Sequence, residues 1–485
     1  MNRSLKDILH NVSQISFKGP SNQNVSKIEV DSRKIQKDFL FVALSGLKSD
    51  GHDHIEESII NGASSIICKD LPLNLKKTIT YIQVENTNTA LAIISGNFYD
   101  HPSKKIKLVG VTGTNGKTTI TNLLFELFNN LDRNSGLIST IDVKYDKEQF
   151  PSTHTTPDII TTNYFLSEMV KKNIDYCFME VSSHGIHQGR IDGLYFSGGV
   201  FTNLTHDHLD YHKSFKNYRN IKKSFFDRLP KQSFSLVNMD DRNATFMLQN
   251  TNSKKLGYAI NNFADFRVKI LEHELNGMLV KINDQELWTN LIGDFNASNL
   301  LAVYSVAVIF NIPNAEVLRS LSMLKNVQGR FQTFQFEKKG LVIIDYAHTP
   351  NALENVINTI NKIRKKNQDL ITVIGCGGNR DKKKRPEMGK IASQKSDKVI
   401  FTSDNPRNEE PNKIINEMID GVESTHICKV ISIEDRETAI KTAKLISNHS
   451  DIILIAGKGH ESFQIKGINK TQFNDYDVAK KYFKN

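Results

Sequence analysis

Thr112-Gly113-Thr114-Asn115-Gly116-Lys117-Thr118-Thr119 lies between an apolar run at 106–111 and an amphipathic stretch at 120–130. Glycines in such a turn let backbone N–H groups approach phosphate oxygens. The lysine neutralises β- and γ-phosphates, and the following hydroxyl is a Mg²⁺ ligand. The spacing departs from the usual phosphate loop, because Val111 stands where its first glycine belongs. Strand, glycine turn, Lys-Thr and helix still read as a nucleotide cradle, with Gly113, Thr114, Asn115, Gly116, Lys117, Thr118 and Thr119 as its residues. Glu180 closes a second apolar run, 176–179, at the strand end where α/β proteins place ligand-binding side chains. Taken alone, Glu180 reads equally well as a surface acid ending a strand.

The richest histidine cluster is His206, His208, Asp210 and His212. Its spacing is similar to a metallo-hydrolase zinc motif, but the last histidine is displaced by one residue. The phosphate loop upstream favours a hard, oxygen-preferring Mg²⁺ instead.

These groups need a scaffold. Short strand-like runs (26–30, 39–43, 65–68, 80–84) alternate with helix-like segments such as 55–61 in the first hundred residues. Asp100-His101-Pro102-Ser103 has turn chemistry and marks a break. A second α/β segment runs to about Arg330, and beyond it strands at 341–345, 370–375, 398–402 and 452–456 alternate with helices. That rhythm predicts parallel sheets covered by helices. The expectation is three α/β domains: a small N-terminal one (1–102), a central P-loop ATPase-like parallel sheet (103–330) and a C-terminal Rossmann-like domain (331–485).

The 485 residues are 39% hydrophobic and 24% charged, an ordinary globular composition that excludes a collagen or a disordered tail. Sixty-three basic residues face fifty-three acidic ones, a net charge of +10. No aromatic-interleaved basic stripe or zinc finger accompanies them, so the expectation is a solvated lysine-rich surface and no nucleic-acid partner. No apolar run approaches the ~20 residues that cross a bilayer, and the first residues show no signal peptide. Cys68, Cys177, Cys376 and Cys428 are far apart and form no CxxC pair, which suits a reduced cytoplasm.

The motifs together resemble the Mur ligases. Gly113–Thr119 of the phosphate loop, Glu180-Val-Ser-Ser-His-Gly185, Asn203-Leu-Thr-His-Asp-His-Leu-Asp210 and Asp345-Tyr-Ala-His-Thr-Pro350 stand in that family's order. Gly375-Cys-Gly-Gly-Asn-Arg-Asp381 and Ala456-Gly-Lys-Gly-His-Glu461 follow, and Val30-Asp-Ser-Arg33 matches near the start. The resemblance covers essentially the whole chain. It implies an ATP- and Mg²⁺-dependent acid–amino-acid ligase of peptidoglycan precursor synthesis, working as a cytoplasmic monomer without a membrane partner. Asp404-Asn405-Pro406-Arg407 is similar to the motif of members that add meso-2,6-diaminopimelate to UDP-N-acetylmuramoyl-L-alanyl-D-glutamate.

By the same resemblance, Ser32 is a uridine-diphosphate contact, and Thr155, Thr156, Ser182, Gln188 and Arg190 hold the muramoyl-peptide. His154 stands where the family often has asparagine. Lys222 matches a lysine that the family carbamylates, with Lys223 beside it as the competing register. Carbamylated Lys222, Glu180 and His208 would be ligands of a second Mg²⁺, Thr118 serving the first. Asn296, Arg330 and Asp345 resemble the residues enclosing adenosine. Arg380, Arg407, Asp404, Asn405, Pro406, Gly457 and Glu461 resemble the acceptor site. Lys117, Lys222, Glu180 and His208 form the catalytic set. The implied chemistry activates the D-glutamyl γ-carboxylate as an acyl phosphate, which the incoming amine displaces. The alternatives are a folylpolyglutamate synthetase-like ligase, which usually reads Gly-Lys-Gly at 116–118, a Mur ligase accepting L-lysine, and a nucleotide-binding regulatory or transport protein.

Overall fold

The computed structural model describes residues 2–46, 49–337 and 339–483. Among them, successive stretches of chain build sheets of five, eleven and six strands. The first sheet orders Ser16–Lys18, Thr80–Gln83, Ala63–Cys68, Phe39–Val42 and Lys27–Glu29 side by side. All its pairs are parallel except the one made by Ser16–Lys18, a strand too short and polar to stand out in the sequence.

The second sheet has a parallel block in the order Ser135–Ile138, Tyr176–Glu180, Lys107–Thr112, Gly198–Phe201, Phe234–Asn238, Lys254–Ala259. Lys107–Thr112 is the point where the strand order reverses: the chain leaves it toward one side and later returns on the other. Such a switch opens a crevice at the C-terminal strand edge. The expected parallel sheet is present, and antiparallel strands extend it at both borders. Asp142–Tyr145 and Glu148–Pro151 form an antiparallel hairpin on one side. Phe266–Glu274, Gly277–Ile282 and Gln285–Thr289 form an antiparallel meander on the other. The last turn is Asn283-Asp284, both with positive φ (46° and 67°), the two-residue geometry that suits the twist of paired strands.

Helix Lys117–Asn130 buries Ile120, Leu123, Leu124, Leu127 and Phe128 against this sheet. Its hydrophobic period begins at Ile120, yet the helix begins three residues earlier. Gly116 supplies the left-handed residue (φ 89°) that caps it, so Lys117–Thr119 form a polar first turn facing the crevice.

The third sheet runs Gln332–Phe336, Gly340–Asp345, Ile452–Ala456, Leu370–Ile374, Lys398–Phe401, Val430–Ser432, parallel after the first pair. Register pairs Asp345 with Ala456, Ala456 with Ile374, and Ile374 with Phe401. The motifs beginning at 345, 375, 404 and 457 therefore leave from one edge. Gly375 and Thr402, expected inside strands, lie just past the strand ends.

Behind that edge sits a buried ion pair. Arg436 donates twice to Asp475 at 2.7 Å, and also to the carbonyls of Ala456 and Ser403, with both side chains fully buried. Removing one partner of such a pair strands the other charge, at about 3–5 kcal/mol. Asp475→Ala should accordingly lower the unfolding midpoint in denaturant clearly, and a chain as stable as the parent would show the pair holds nothing.

Candidate active site

Gly113 accepts no side chain: its φ is 152°, and a Cβ there would sit 1.8 Å from Thr202 Oγ1. The loop is stitched to the neighbouring strand end by Asn115 N–H to Asn203 Oδ1 (2.9 Å) and Thr202 Oγ1 to Asn115 O (2.6 Å). Lys117 Nζ curls over it, donating to the carbonyls of Gly113 (2.9 Å) and Thr114 (2.8 Å). Burial lowers its pKa, against the pull of Glu180 and Asp207. Thr118 Oγ1 donates to Glu180 Oε2 at 3.0 Å and accepts from Arg330 Nη2 at 3.0 Å. Glu180 is buried and takes two further hydrogen bonds, from Thr140 N–H (2.7 Å) and Thr140 Oγ1 (3.1 Å). The surface-acid reading of Glu180 therefore fails.

Lys222 and Lys223 part company on helix Phe215–Asp227, as neighbours about 100° apart must. Lys222 is 1% exposed and donates to Gly113 O at 2.9 Å. Burial and the Lys117 charge push its pKa well below the usual lysine value, toward the neutral amine that reacts with CO₂. Lys223 pairs with Asp227 at 2.7 Å, away from the loop.

The histidines do not assemble the zinc pattern. His206 stacks on Phe215, His208 faces Asp207 at 3.3 Å, and His212 Nε2 meets Ser183 Oγ at 2.9 Å. Among the described residues, no group of three or more His, Cys, Asp or Glu side chains is arranged around one metal position. His208 has positive φ (53°), its ring contacts His184, and burial drops its pKa to about 4 despite Asp207. His184, Lys117 and Lys222 contribute to that fall.

Thr155, Thr156, Ser182 and Arg190 gather beside Glu180. Thr140 Oγ1 lies 3.1 Å from Thr155 Oγ1, and Thr156 Oγ1 donates to Glu180 O (2.8 Å) with Ser182 Oγ 3.0 Å away. Arg190 Nη1 reaches Thr156 O at 2.8 Å. Gln188 is exposed nearby and donates to Tyr211 OH. Ser32 belongs elsewhere: it donates to Glu57 Oε2 at 2.6 Å beside the first sheet.

Asn296 and Asn299 bond to each other on helix Asp294–Ile309 (3.2 Å), and Asn299 packs against Gly116. Arg330 lies over the Tyr346 ring (4.5 Å), and Asp345 accepts from Phe331 N–H and Ala347 N–H at 2.7 Å each. Burial raises the Asp345 pKa, while Arg330 and these N–H groups oppose it.

The third sheet's edge brings the remaining residues together. Arg407 Nη1 donates to Gly378 O (2.9 Å) and lies beside Arg380 across Gly377. Asn405 Nδ2 donates to Glu461 Oε2 at 2.6 Å, and Asp404 Oδ2 approaches Gly457. Buried Arg385 holds the two arginine-bearing loops in register through Glu409, whose pKa falls to about 2. A cleft of about 1090 Å³ joins both halves. Its lining includes Thr155, His184, Asp207 and His208 on one wall and Tyr346, His348, Arg380, Asp404, Asn405, Arg407, Gly457 and Glu461 on the other. Thr140, His348, Tyr346 and Lys458 belong to this constellation and were not singled out from the sequence. Tyr346 and His348 stood inside a quoted motif, and Thr140 carried no local signal.

Three family models match the chain: Mur ligase family, catalytic domain, over residues 24–99; Mur ligase middle domain over 111–307; and Mur ligase, glutamate ligase domain, over 329–459. The chain is 48% identical over 482 residues to a UDP-N-acetylmuramoyl-L-alanyl-D-glutamate--2,6-diaminopimelate ligase of Phocaeicola vulgatus, covering 99% of both chains. To the enzyme of the same description in Bacteroides fragilis it is 48% identical over 480 residues, again 99% of each. A solved structure of a ligase with that description superposes at a TM-score of 0.71 and 29% identity, covering 100% of this chain and 99% of that one.

Two outcomes follow from the loop. Lys117→Ala should lose ~10²-fold or more in turnover, as other removed electrostatic stabilisers do; near-normal turnover in a folded variant removes the lysine from the chemistry. Lys222→Ala should be nearly inactive and partly restored by acetate, whereas Lys223→Ala should behave almost normally. The reverse pattern in the same turnover assay would put the reactive amine one residue on.

Proposed function

This chain belongs to the Mur ligase family, and from that premise we propose that it joins meso-2,6-diaminopimelate to the D-glutamyl γ-carboxylate of UDP-N-acetylmuramoyl-L-alanyl-D-glutamate. ATP is consumed and ADP and phosphate are released, a step of peptidoglycan precursor synthesis. The cleft carries the reading: one cavity is bordered by the segments packed on the phosphate loop and by two guanidiniums and two carboxylates at the third sheet's edge. A folylpolyglutamate synthetase usually reads Gly-Lys-Gly where this chain has Gly116-Lys117-Thr118, and the full-length relatives bear the diaminopimelate ligase description. The reaction takes place in the cytoplasm, on a monomer, with no nucleic-acid or membrane partner.

The reaction brings a carboxylate against a triphosphate, and repulsion is its first obstacle. A γ-carboxylate oxygen attacks the γ-phosphorus, the bond to the ADP oxygen breaks, and an acyl phosphate forms. Lys117, released from the Gly113 and Thr114 carbonyls onto the phosphates, offsets the charge. Arg330 reaches the same place from the third sheet through Thr118. Asn296, Arg330 and Asp345 enclose the adenosine, and Ser32 holds the UDP end. Thr155, Thr156, Ser182, Gln188 and Arg190 orient the muramoyl-peptide.

Thr118 Oγ1 and the buried Glu180 carboxylate, 3.0 Å apart, are hard oxygen donors that fit Mg²⁺, and carbamylated Lys222 with His208 extends the set toward a second ion. Bound there, the ions supply charge neutralisation for the phosphates.

The amine of diaminopimelate then attacks the acyl carbon, the tetrahedral intermediate expels phosphate, and a proton leaves the nitrogen. The acyl phosphate hydrolyses easily, so the cleft must exclude water while the amine arrives. At the far end of the amino acid, Arg407 takes the distal carboxylate as a bidentate fork, Arg380 the other carboxylate, and Glu461 the distal ammonium.

ADP release should depend on both the muramoyl-dipeptide and diaminopimelate, with L-lysine a poor substitute because it leaves Arg407 without an anion. Arg407→Ala should raise the diaminopimelate KM steeply and leave ATP and dipeptide binding nearly intact. Equal use of lysine by the unmutated chain would contradict the assignment of this wall to acceptor choice.

A further inference from the structure

Lys458 lies beneath the acceptor wall and is fully buried, so no substrate reaches it. Its Nζ donates to Phe463 O (2.7 Å), Glu461 Oε2 (3.1 Å) and Asn405 Oδ1 (3.2 Å), and Asp404 Oδ1 stands 3.6 Å away. An ammonium has three donors, and these three oxygens use them all. Asn405 is thereby fixed in orientation: its Oδ1 accepts from Lys458 and from Ile465 N–H (2.9 Å), so its Nδ2 points to Glu461 Oε2. Both donors to the Glu461 carboxylate go to Oε2, and Oε1 takes none among the described residues. The Glu461 side chain remains 29% exposed and lines the cleft.

Two carboxylates, Asp404 and Glu461, share one buried ammonium, with Arg407 acting on both from beside them, and of the two Glu461 keeps one carboxylate oxygen outside that network on the cleft side. We infer that Lys458 is a positioning residue that holds Glu461 as a cleft-facing carboxylate, and that acceptor choice between amino acids with and without a distal ammonium depends on it. The inference rests on the diaminopimelate reading of the cleft and deepens it. Burial and Asp404 raise the Glu461 pKa, and Lys458 and Asn405 hold it down. Arg407, Tyr346 and Arg436 also face this group, Arg436 being committed to Asp475.

The test is steady-state kinetics across pH on the full chain. Lys458→Met should raise the diaminopimelate KM by about tenfold or more, the scale of a charge-assisted contact, with the ATP and dipeptide KM values unchanged. Without its cation Glu461 ionises only at higher pH, so the acid limb of kcat/KM for diaminopimelate should move upward. In a Glu461→Gln background the same substitution should add nothing further. Lys458→Gln, which keeps a donor but no charge, carries the same expectation should the methionine variant fold poorly. If neither folds, the parent decides: its preference for diaminopimelate over 2-aminopimelate, which lacks the distal amine, should fade as pH falls. An unmoved acid limb, a uniform rise in every KM, or a pH-independent preference would each overturn the inference. A parent that makes no product with diaminopimelate sinks the functional reading itself, whereas normal parent activity with unaffected Lys458 variants sinks only this one.

Discussion

One hydroxyl ties the active site together. Thr118 Oγ1 gives its proton to Glu180 from the strand beside the phosphate loop and receives Arg330 from the segment leading into the third sheet, both at 3.0 Å. The junction is made where two anions must meet, so the cations around it are the constraint that the rest serves. Lys117 is parked on its own loop carbonyls, Lys222 is held on Gly113 O, and Arg330 arrives from a different sheet. Gly329, just before Arg330, is pressed so closely on the backbone of Gly459 and His460 that a Cβ would lie 2.0 Å from the His460 nitrogen. The segment that delivers the arginine thus also touches the motif that carries Glu461.

The second half of the site is a consequence of strand register. Because Asp345, Ala456, Ile374 and Phe401 end level, four separate motifs emerge at one edge and face the same cleft. Buried charges then hold those motifs in place: Arg436 with Asp475 beneath the strand ends, and Arg385 with Glu409 between the arginine-bearing loops. Burying ions is costly, and each pair offsets it by direct contact. Arg436 gives its remaining donors to the carbonyls of Ala456 and Ser403, and Arg385 bonds Glu409, Glu417 and the Gly377 carbonyl, leaving its Nε unpartnered among the described residues. What these pairs gain is a fixed distance between two guanidiniums on one side and two carboxylates on the other, a pattern a zwitterionic diamino acid matches at both ends.

Much of this was legible in the residues. The strand expected at 452–456 is found at Ile452–Ala456, the phosphate-loop Thr118 meets Glu180, and Asp404, Asn405 and Arg407 line one cleft with Glu461. Local signals carry that far because hydrophobic period and glycine chemistry are properties of adjacent residues. The antiparallel borders of the second sheet were not legible, since a strand's partner depends on the whole chain. Thr140 and Arg436 escaped for the same reason, their partners lying 40 and 39 residues away, whereas Lys458 stood inside the 456–461 motif and only its burial set it apart. The resemblance already pointed to Lys222 rather than Lys223, and the structure adds that Lys222 bonds Gly113 O while Lys223 pairs with Asp227.

The chemistry proposed for this site activates a carboxylate by phosphorylating it. The most direct measurement uses muramoyl-dipeptide labelled with ¹⁸O in the D-glutamyl γ-carboxylate, turned over with ATP and diaminopimelate, and mass analysis of the phosphate released. Transfer of one labelled oxygen into each phosphate is the expected result, because the carboxylate oxygen that attacks phosphorus leaves with it. Unlabelled phosphate from a reaction that still forms the amide would contradict the account.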